Sequence, residues 1–205
     1  MKKLFLLVVL WLSLLTGIQA QFPKAIFPGD YPDPSILRDG KDYYMTHSPF
    51  CYAPGLLIWH STDLLHWEPV CRALAEYEAS IWAPDLLKYQ NRYYIYYPTS
   101  TGENFVIYAD NIRGPWSKPV KLDVKGIDPG HVVGEDGKRY LFTNNGWITP
   151  LSDDGLKVTG KSRKVYDGWE YPANWVTEGK DIYLESPKLL YKDGYYYMMS
   201  AEGGT

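Results

Sequence analysis

Beyond its first twenty residues the chain alternates short apolar runs with tyrosine-rich ones, and Gly, Pro, Asp and Asn punctuate the boundaries. One unit reads Asp33-Pro-Ser-Ile-Leu-Arg-Asp-Gly-Lys-Asp-Tyr-Tyr. It returns as Pro84-Asp85-Leu-Leu-Lys-Tyr-Gln-Asn-Arg-Tyr-Tyr, as Asp128-Pro-Gly-His-Val-Val-Gly-Glu-Asp-Gly-Lys-Arg-Tyr, and as Glu185-Ser-Pro-Lys-Leu-Leu-Tyr-Lys-Asp-Gly-Tyr-Tyr. In the first unit the pattern predicts an inner strand from Ile36 to Arg38, a turn at Asp39-Gly40 and a second strand from Tyr43 to His47. A third strand follows from Leu56 to Ser61 and a fourth lies near Glu68 to Arg72. The outer turn Ser61-Thr-Asp63-Leu-Leu-His-Trp67 recurs as Ala109-Asp110-Asn-Ile-Arg-Gly-Pro-Trp116, and more loosely at Ser152 to Leu156. A small residue followed by Asp suits a turn capped by its own side chain. Helical periodicity is confined to Ala73 to Ser80, room for a turn or two. The expected fold class is all-β.

Strand chemistry repeating at roughly 50 residues is the signature of a β-propeller of four-stranded blades. Blade one covers Pro28 to Leu74, blade two Ser80 to Leu122 and blade three Gly126 to Tyr166. A fourth begins before Glu185 and has its first two strands when the sequence reaches Thr205, about three and a half blades in all. An open ring leaves unpaired strand edges, so residues 21–205 read as the N-terminal part of a larger propeller domain. If each blade starts with its innermost strand, Asp33, Asp85, Asp128 and Glu185 converge on one axis. Four carboxylates would then surround one pocket.

The leading segment lies outside this pattern. Lys2 and Lys3 precede an apolar run from Leu4 to Leu15, and Ile18-Gln-Ala20 offers small residues for cleavage. That reads as a secretory signal peptide over residues 1–20, too short for a membrane span, with a retained N-terminal anchor as the alternative. The mature protein is then secreted or periplasmic. The net charge is −3, and losing two lysines makes it more acidic, which argues against nucleic acid or an anionic membrane as partner. Aromatics make up 16%, with 19 Tyr and 8 Trp, which suits both sheet packing and stacking on sugar rings. Cys51 and Cys71 are either an exported protein's disulfide or two small buried hydrophobes. Nothing in the pattern sets the oligomeric state.

The motifs Tyr31-Pro-Asp33-Pro-Ser, Trp82-Ala-Pro-Asp85-Leu, Gly126-Ile-Asp128-Pro-Gly and Leu184-Glu185-Ser-Pro-Lys-Leu189 resemble, in order and spacing, glycoside hydrolase family 43. The resemblance spans Phe27 to Thr205; the Trp-Ala-Pro-Asp and Gly-Ile-Asp-Pro elements favour this family over related invertase-like clans. It implies a five-bladed propeller and a β-xylosidase or α-L-arabinofuranosidase type of enzyme. Such an enzyme hydrolyses arabinose- or xylose-containing plant polysaccharides or oligosaccharides with inversion. The resemblance further implies Asp33 as general base, Glu185 as general acid and Asp128 as the residue that tunes and orients the acid. Inversion needs two carboxyl groups roughly 6.5–9.5 Å apart, with room for a water. Groups facing each other across a propeller axis suit that gap. A charged Asp128 would disfavour ionisation of Glu185 and keep it a proton donor, while Asp33 needs water access and hydrogen bonds to stay a base.

Trp82, Asp85, His47 and Phe50 are the candidate substrate-binding residues, with Trp147 a weaker one. Trp82 could equally be core, Asp85 could serve only to hold strand ends near the axis, and His47 could be structural. His131 is placed to contact Asp128, while His60 and His66 are expected to face solvent. The acid motif departs from the family's common Glu-Gly-Pro-His by carrying Ser186 and Lys188. No cofactor is required and no metal ligand is assigned. The resemblance allows a Ca²⁺ at the axis, held by residues outside this chain. The competing reading is a non-catalytic carbohydrate-binding propeller, which would have no need of opposed acid and base. A phosphorylase would need a basic phosphate pocket, and Lys188 and Arg163 are too isolated to make one.

Overall fold

The computed structural model describes residues 25–76, 79–169 and 184–202. The expected signal peptide lies outside the described residues. Three four-stranded antiparallel sheets follow one another along the chain, each in simple meander order, and a two-stranded sheet comes last. The first comprises β1 (Ser35–Asp39), β2 (Asp42–Thr46), β3 (Gly55–Ser61) and β4 (Glu68–Leu74). The second has β5 (Asp85–Tyr89), β6 (Arg92–Pro98), β7 (Asn104–Ala109) and β8 (Val120–Leu122). The third has β9 (Gly130–Val133), β10 (Arg139–Thr143), β11 (Trp147–Pro150) and the two-residue β12 (Arg163–Lys164); β13 (Leu184–Lys192) pairs with β14 (Tyr195–Glu202). The first strands β1, β5, β9 and β13 lie successively against one another, the arrangement of blades around a propeller axis.

Three local expectations change. Where the sequence leaves room for a helical turn from Ala73, β4 instead continues through Ala73 and Leu74, whose side chains are buried in the core between the first two blades. Burial against a neighbouring sheet outweighs a weak helical period. Cys51 and Cys71 are both free thiols; Cys51 is exposed, and the Cys71 Sγ–H donates to the Ile112 carbonyl at 3.3 Å. His60 does not face solvent. Its ring lies between Asp42, at 2.6 Å, and Glu68, at 3.3 Å, and these carboxylates raise its pKa.

Blade two shows how the core works. The run Arg92-Tyr-Tyr-Ile-Tyr-Tyr-Pro98 is almost continuously buried because alternate side chains enter two different cores. Tyr93, Ile95 and Tyr97 pack towards blade one with Leu56 and Ile58, whereas Tyr94 and Tyr96 pack towards blade three with Leu141 and Leu151. A period-two strand clamped on both faces loses its polar face and reads as unbroken apolar sequence.

An arginine sits inside the second of these cores. Arg139 on β10 is only 1% exposed, and its guanidinium lies over the rings of Tyr89 and Tyr94 at 4.4 and 4.3 Å. It donates to Tyr96 Oη at 3.1 Å, to the Asp153 carbonyl at 3.3 Å and to His131 Nε2 at 2.9 Å. Gly155 gives it room: a Cβ there would stand 2.5 Å from the guanidinium. His131 must present a lone pair to this donor. Enclosure of the ring, and then the Arg139 charge, lower its pKa to about 4.

This gives the blade interface a pH dependence of definite sign. Between pH 6.5 and 4 the unfolded chain binds a proton at His131 that the folded chain refuses, so stability falls as pH falls. The full effect is about 3 kcal/mol, complete only below pH 4. His47, whose pKa burial lowers, acts in the same direction, and His60 in the opposite one. Urea midpoints at pH 7 and pH 5 should therefore fall further apart for the wild type than for His131→Gln. Equal separations would show that His131 is not the sensor.

Candidate active site

The four motifs superpose on their prolines, Pro34, Pro84, Pro129 and Pro187, rather than on their acids. In each case the residue before the proline has a left-handed backbone: Asp33 at φ 52°, Ala83 at 27°, Asp128 at 58° and Ser186 at 51°. Proline normally holds its predecessor in the extended region, so all four turns are built against local preference. The turn directs the chain into the inner strand that follows. It offers three side-chain positions: two before the proline (Pro32, Trp82, Ile127, Glu185), one before it (Asp33, Ala83, Asp128, Ser186) and one after it (Ser35, Asp85, Gly130, Lys188). The acids thus fill different slots. Asp33 and Asp128 are equivalent, Glu185 stands one residue earlier and Asp85 two residues later.

The slot after the proline joins neighbouring blades. Ser35 Oγ accepts the Leu86 N–H at 2.9 Å, and Asp85 Oδ2 accepts the equivalent N–H of His131 at 2.9 Å. In blade three this slot is Gly130, where a Cβ would lie 1.8 Å from the Pro187 carbonyl oxygen, so no side chain fits. Blade four reaches back instead. Lys188 Nζ donates to Asp85 Oδ1 at 2.8 Å and to the Pro129 carbonyl at 2.9 Å. Both Asp85 oxygens are thereby engaged by the chain itself and its residue is 8% exposed, which makes it a brace and leaves little of it for a ligand.

Asp33, Asp128 and Glu185 meet where the turns of blades one, three and four converge. Asp33 is exposed, and its Oδ2 accepts the Ser48 hydroxyl at 2.5 Å; Ser48 Oγ in turn accepts the Ala83 N–H at 2.6 Å. Asp128 is 7% exposed, and the N–H of Ser186, next to Glu185, donates to its Oδ2 at 3.1 Å. Burial raises the Asp128 pKa, and repulsion from Glu185 and Asp33 adds to the rise; the Ser186 N–H and the Lys188 ammonium oppose it. Glu185 itself is half-buried.

The turn bearing Asp128 is secured from β10. Asn144 Oδ1 accepts the Ile127 N–H at 3.0 Å, the Asn144 N–H donates to the Ile127 carbonyl at 2.9 Å, and Thr143 Oγ donates to the Lys125 carbonyl at 2.6 Å. Among the other candidates, Trp82 is half-buried in the same slot as Glu185, its indole N–H on Ser80 Oγ at 3.1 Å. Phe50 is 37% exposed and its backbone pairs with Ile81. His47 is 8% exposed and packs edge-on against Tyr31 at 5.1 Å, supporting the Asp33 turn from beneath. Trp147 lies under the Lys125 ammonium at 4.4 Å. His131 is committed to Arg139 and, through its backbone, to Asp85 rather than to Asp128. Among the described residues no group of three or more His, Cys, Asp or Glu could hold a metal ion, so none is assigned to the Ca²⁺ that the resemblance allows.

Two participants carry little sequence signal. Ser48 follows the buried end of β2 and belongs to no motif, yet it ties Asp33 to blade two. Lys188 is visible in the sequence only as a departure from a family pattern; its reach across two blades needs coordinates.

Comparison with known proteins places the fold in a family. The family model for glycosyl hydrolases family 43 matches residues 22–205. The chain is 34% identical to a xylosidase/arabinosidase of Butyrivibrio fibrisolvens, over 88% of this chain and 38% of that protein. It is 32% identical to a non-reducing end α-L-arabinofuranosidase of Bacteroides ovatus, over 100% of this chain and 40% of that one. Among solved structures, a xylan β-1,4-xylosidase from Bacillus halodurans C-125 superposes with a TM-score of 0.75 at 33% identity, covering 90% of this chain and 39% of the other. The chain thus spans well under half the length of these relatives.

Proposed function

Because the chain belongs to glycoside hydrolase family 43, we propose that the full-length protein is an exported glycosidase that releases xylose or arabinose from plant polysaccharides or oligosaccharides with inversion. The observation that carries this reading is the meeting of three carboxyl groups from three separate blades, each in a different setting. Asp33 is open to solvent and held by one hydroxyl, which suits a base that deprotonates the attacking water. Glu185 is half-buried on the turn of blade four and protonates the departing oxygen. Asp128 is buried beside it and accepts the N–H of Ser186, which orients the turn that bears the donor. Trp82, mounted in the same slot as Glu185, offers a ring on which a sugar can stack.

The relatives named as xylosidase/arabinosidase and α-L-arabinofuranosidase support the choice of sugars. The lysine-flanked apolar run at the N-terminus supports export to the periplasm or medium. The direct test is proton NMR of the first sugar released by the full-length enzyme from a xylo- or arabino-oligosaccharide. The anomer opposite to that of the substrate should appear first and then mutarotate. Initial release of the retained anomer would rule out the water-activating role of Asp33. Sugar binding with no release at all would mark a carbohydrate-binding propeller instead.

A further inference from the structure

We propose that Lys188 is a positioning residue for the acid cluster: its ammonium ties the turn bearing Asp128 to the turn bearing Glu185 and anchors both on Asp85 of blade two. The inference rests on the glycosidase reading and goes beyond it, since it assigns a task to a residue that departs from the family pattern. Three observations support it. Lys188 lies three residues after Glu185 on the same turn and strand, so fixing its head group fixes the donor's backbone. Its contact on blade three is the carbonyl of Pro129, the residue next to Asp128. Its contact on blade two is the Oδ1 of Asp85, whose other oxygen already holds the first turn of β9 through His131. One ammonium thus reaches three blades at the seam where Gly130 has no side chain to offer. With a side chain 37% exposed against 11% for Asp85, the pair is reachable from solvent on the lysine side.

The charged and titratable groups facing Asp128 are Glu185 and Lys188 from blade four and Asp33 from blade one. Removing Lys188, the cation among these described groups, should let Asp128 hold its proton to higher pH. In the full-length enzyme, Lys188→Met is expected to lower kcat on unactivated oligosaccharides by roughly 10–100-fold, as misplacement of reacting groups by about an ångström does, with KM changed less than about threefold. The acid limb of the pH profile should move to higher pH, and added methylammonium should restore part of the rate. Asp85→Asn keeps an acceptor for the His131 N–H and guards against a misfolded lysine variant; it should lower kcat with little change in KM, and because the ammonium of Lys188 is retained, methylammonium should restore nothing. The double variant should then be no slower than Lys188→Met alone, because each removes the same link.

A lower melting point with unchanged kcat and an unchanged acid limb would reduce Lys188 to a structural brace and overturn the inference. So would additive losses with a raised KM for Asp85→Asn, which would place Asp85 on the substrate. Lack of turnover by the unaltered enzyme would overturn the glycosidase reading itself and this inference with it.

Discussion

Glu185→Ala in the full-length enzyme should slow hydrolysis of natural oligosaccharides by about 10³-fold or more, within the range by which a positioned general acid accelerates proton transfer. Aryl glycosides whose leaving phenolate needs no proton should lose far less, roughly tenfold or under. The contrast follows from the role. A sugar alkoxide is a poor leaving group and must be protonated as the bond breaks; a dinitrophenolate is not and need not be. Asp33→Ala should behave differently, depressing both substrate classes alike, because the attacking water must be activated whatever departs. The measurement is kcat/KM on a matched pair, a xylo- or arabino-oligosaccharide and the corresponding dinitrophenyl glycoside. Equal losses on both substrates for Glu185→Ala would remove it from the acid role, and near-normal oligosaccharide turnover would remove it from the mechanism.

The second large effect concerns stability. Arg139→Met should destabilise the propeller by about 3–5 kcal/mol, the sum of lost ring contacts and of buried acceptors left without a donor. Two desolvated ring contacts are lost, worth up to about 2 kcal/mol each. His131 Nε2 and Tyr96 Oη also lose their donor. For a unit of this size the melting midpoint should drop by roughly 10 °C. Arg139→Lys should rescue little, because an ammonium cannot lie flat between Tyr89 and Tyr94 while also donating to His131. A midpoint within about 2 °C of the wild type, small on the usual scale for a unit of this size, would show that the tyrosines repack without the cation.

The contrast between Arg139 and the acids shows what a sequence reveals. Strand units and their spacing were legible because turns and pleats impose short-range chemistry: Asp39-Gly40 can be little else, and Tyr93 to Tyr97 suit only a sheet. The acids were legible as a recurring set beside proline. Their shared slot was not, since aligning on Asp33, Asp85, Asp128 and Glu185 treats as equivalent four residues that the prolines place in three positions. Arg139 gave no signal; an arginine opening a strand usually stays in water, and only the facing tyrosines of blade two make it a core residue. Ser48 was silent for a similar reason, because its partners lie 15 and 35 residues away. The room for a helical turn at Ala73 was taken by strand, where a weak local preference met a neighbouring sheet that could bury Leu74.

The proline-anchored turn has a wider consequence. A molecule assembled from copies of one module faces the problem that identical parts tend to do identical things. Here the mounting is constant while its occupant is free to slide by a residue or two. The same fitting presents an exposed carboxylate in one copy, a buried one in another and a half-buried one in a third. Diversity then requires no new scaffold: Asp33 and Asp128 share a rung and differ only in how deeply it is sunk, and Glu185 stands one rung earlier.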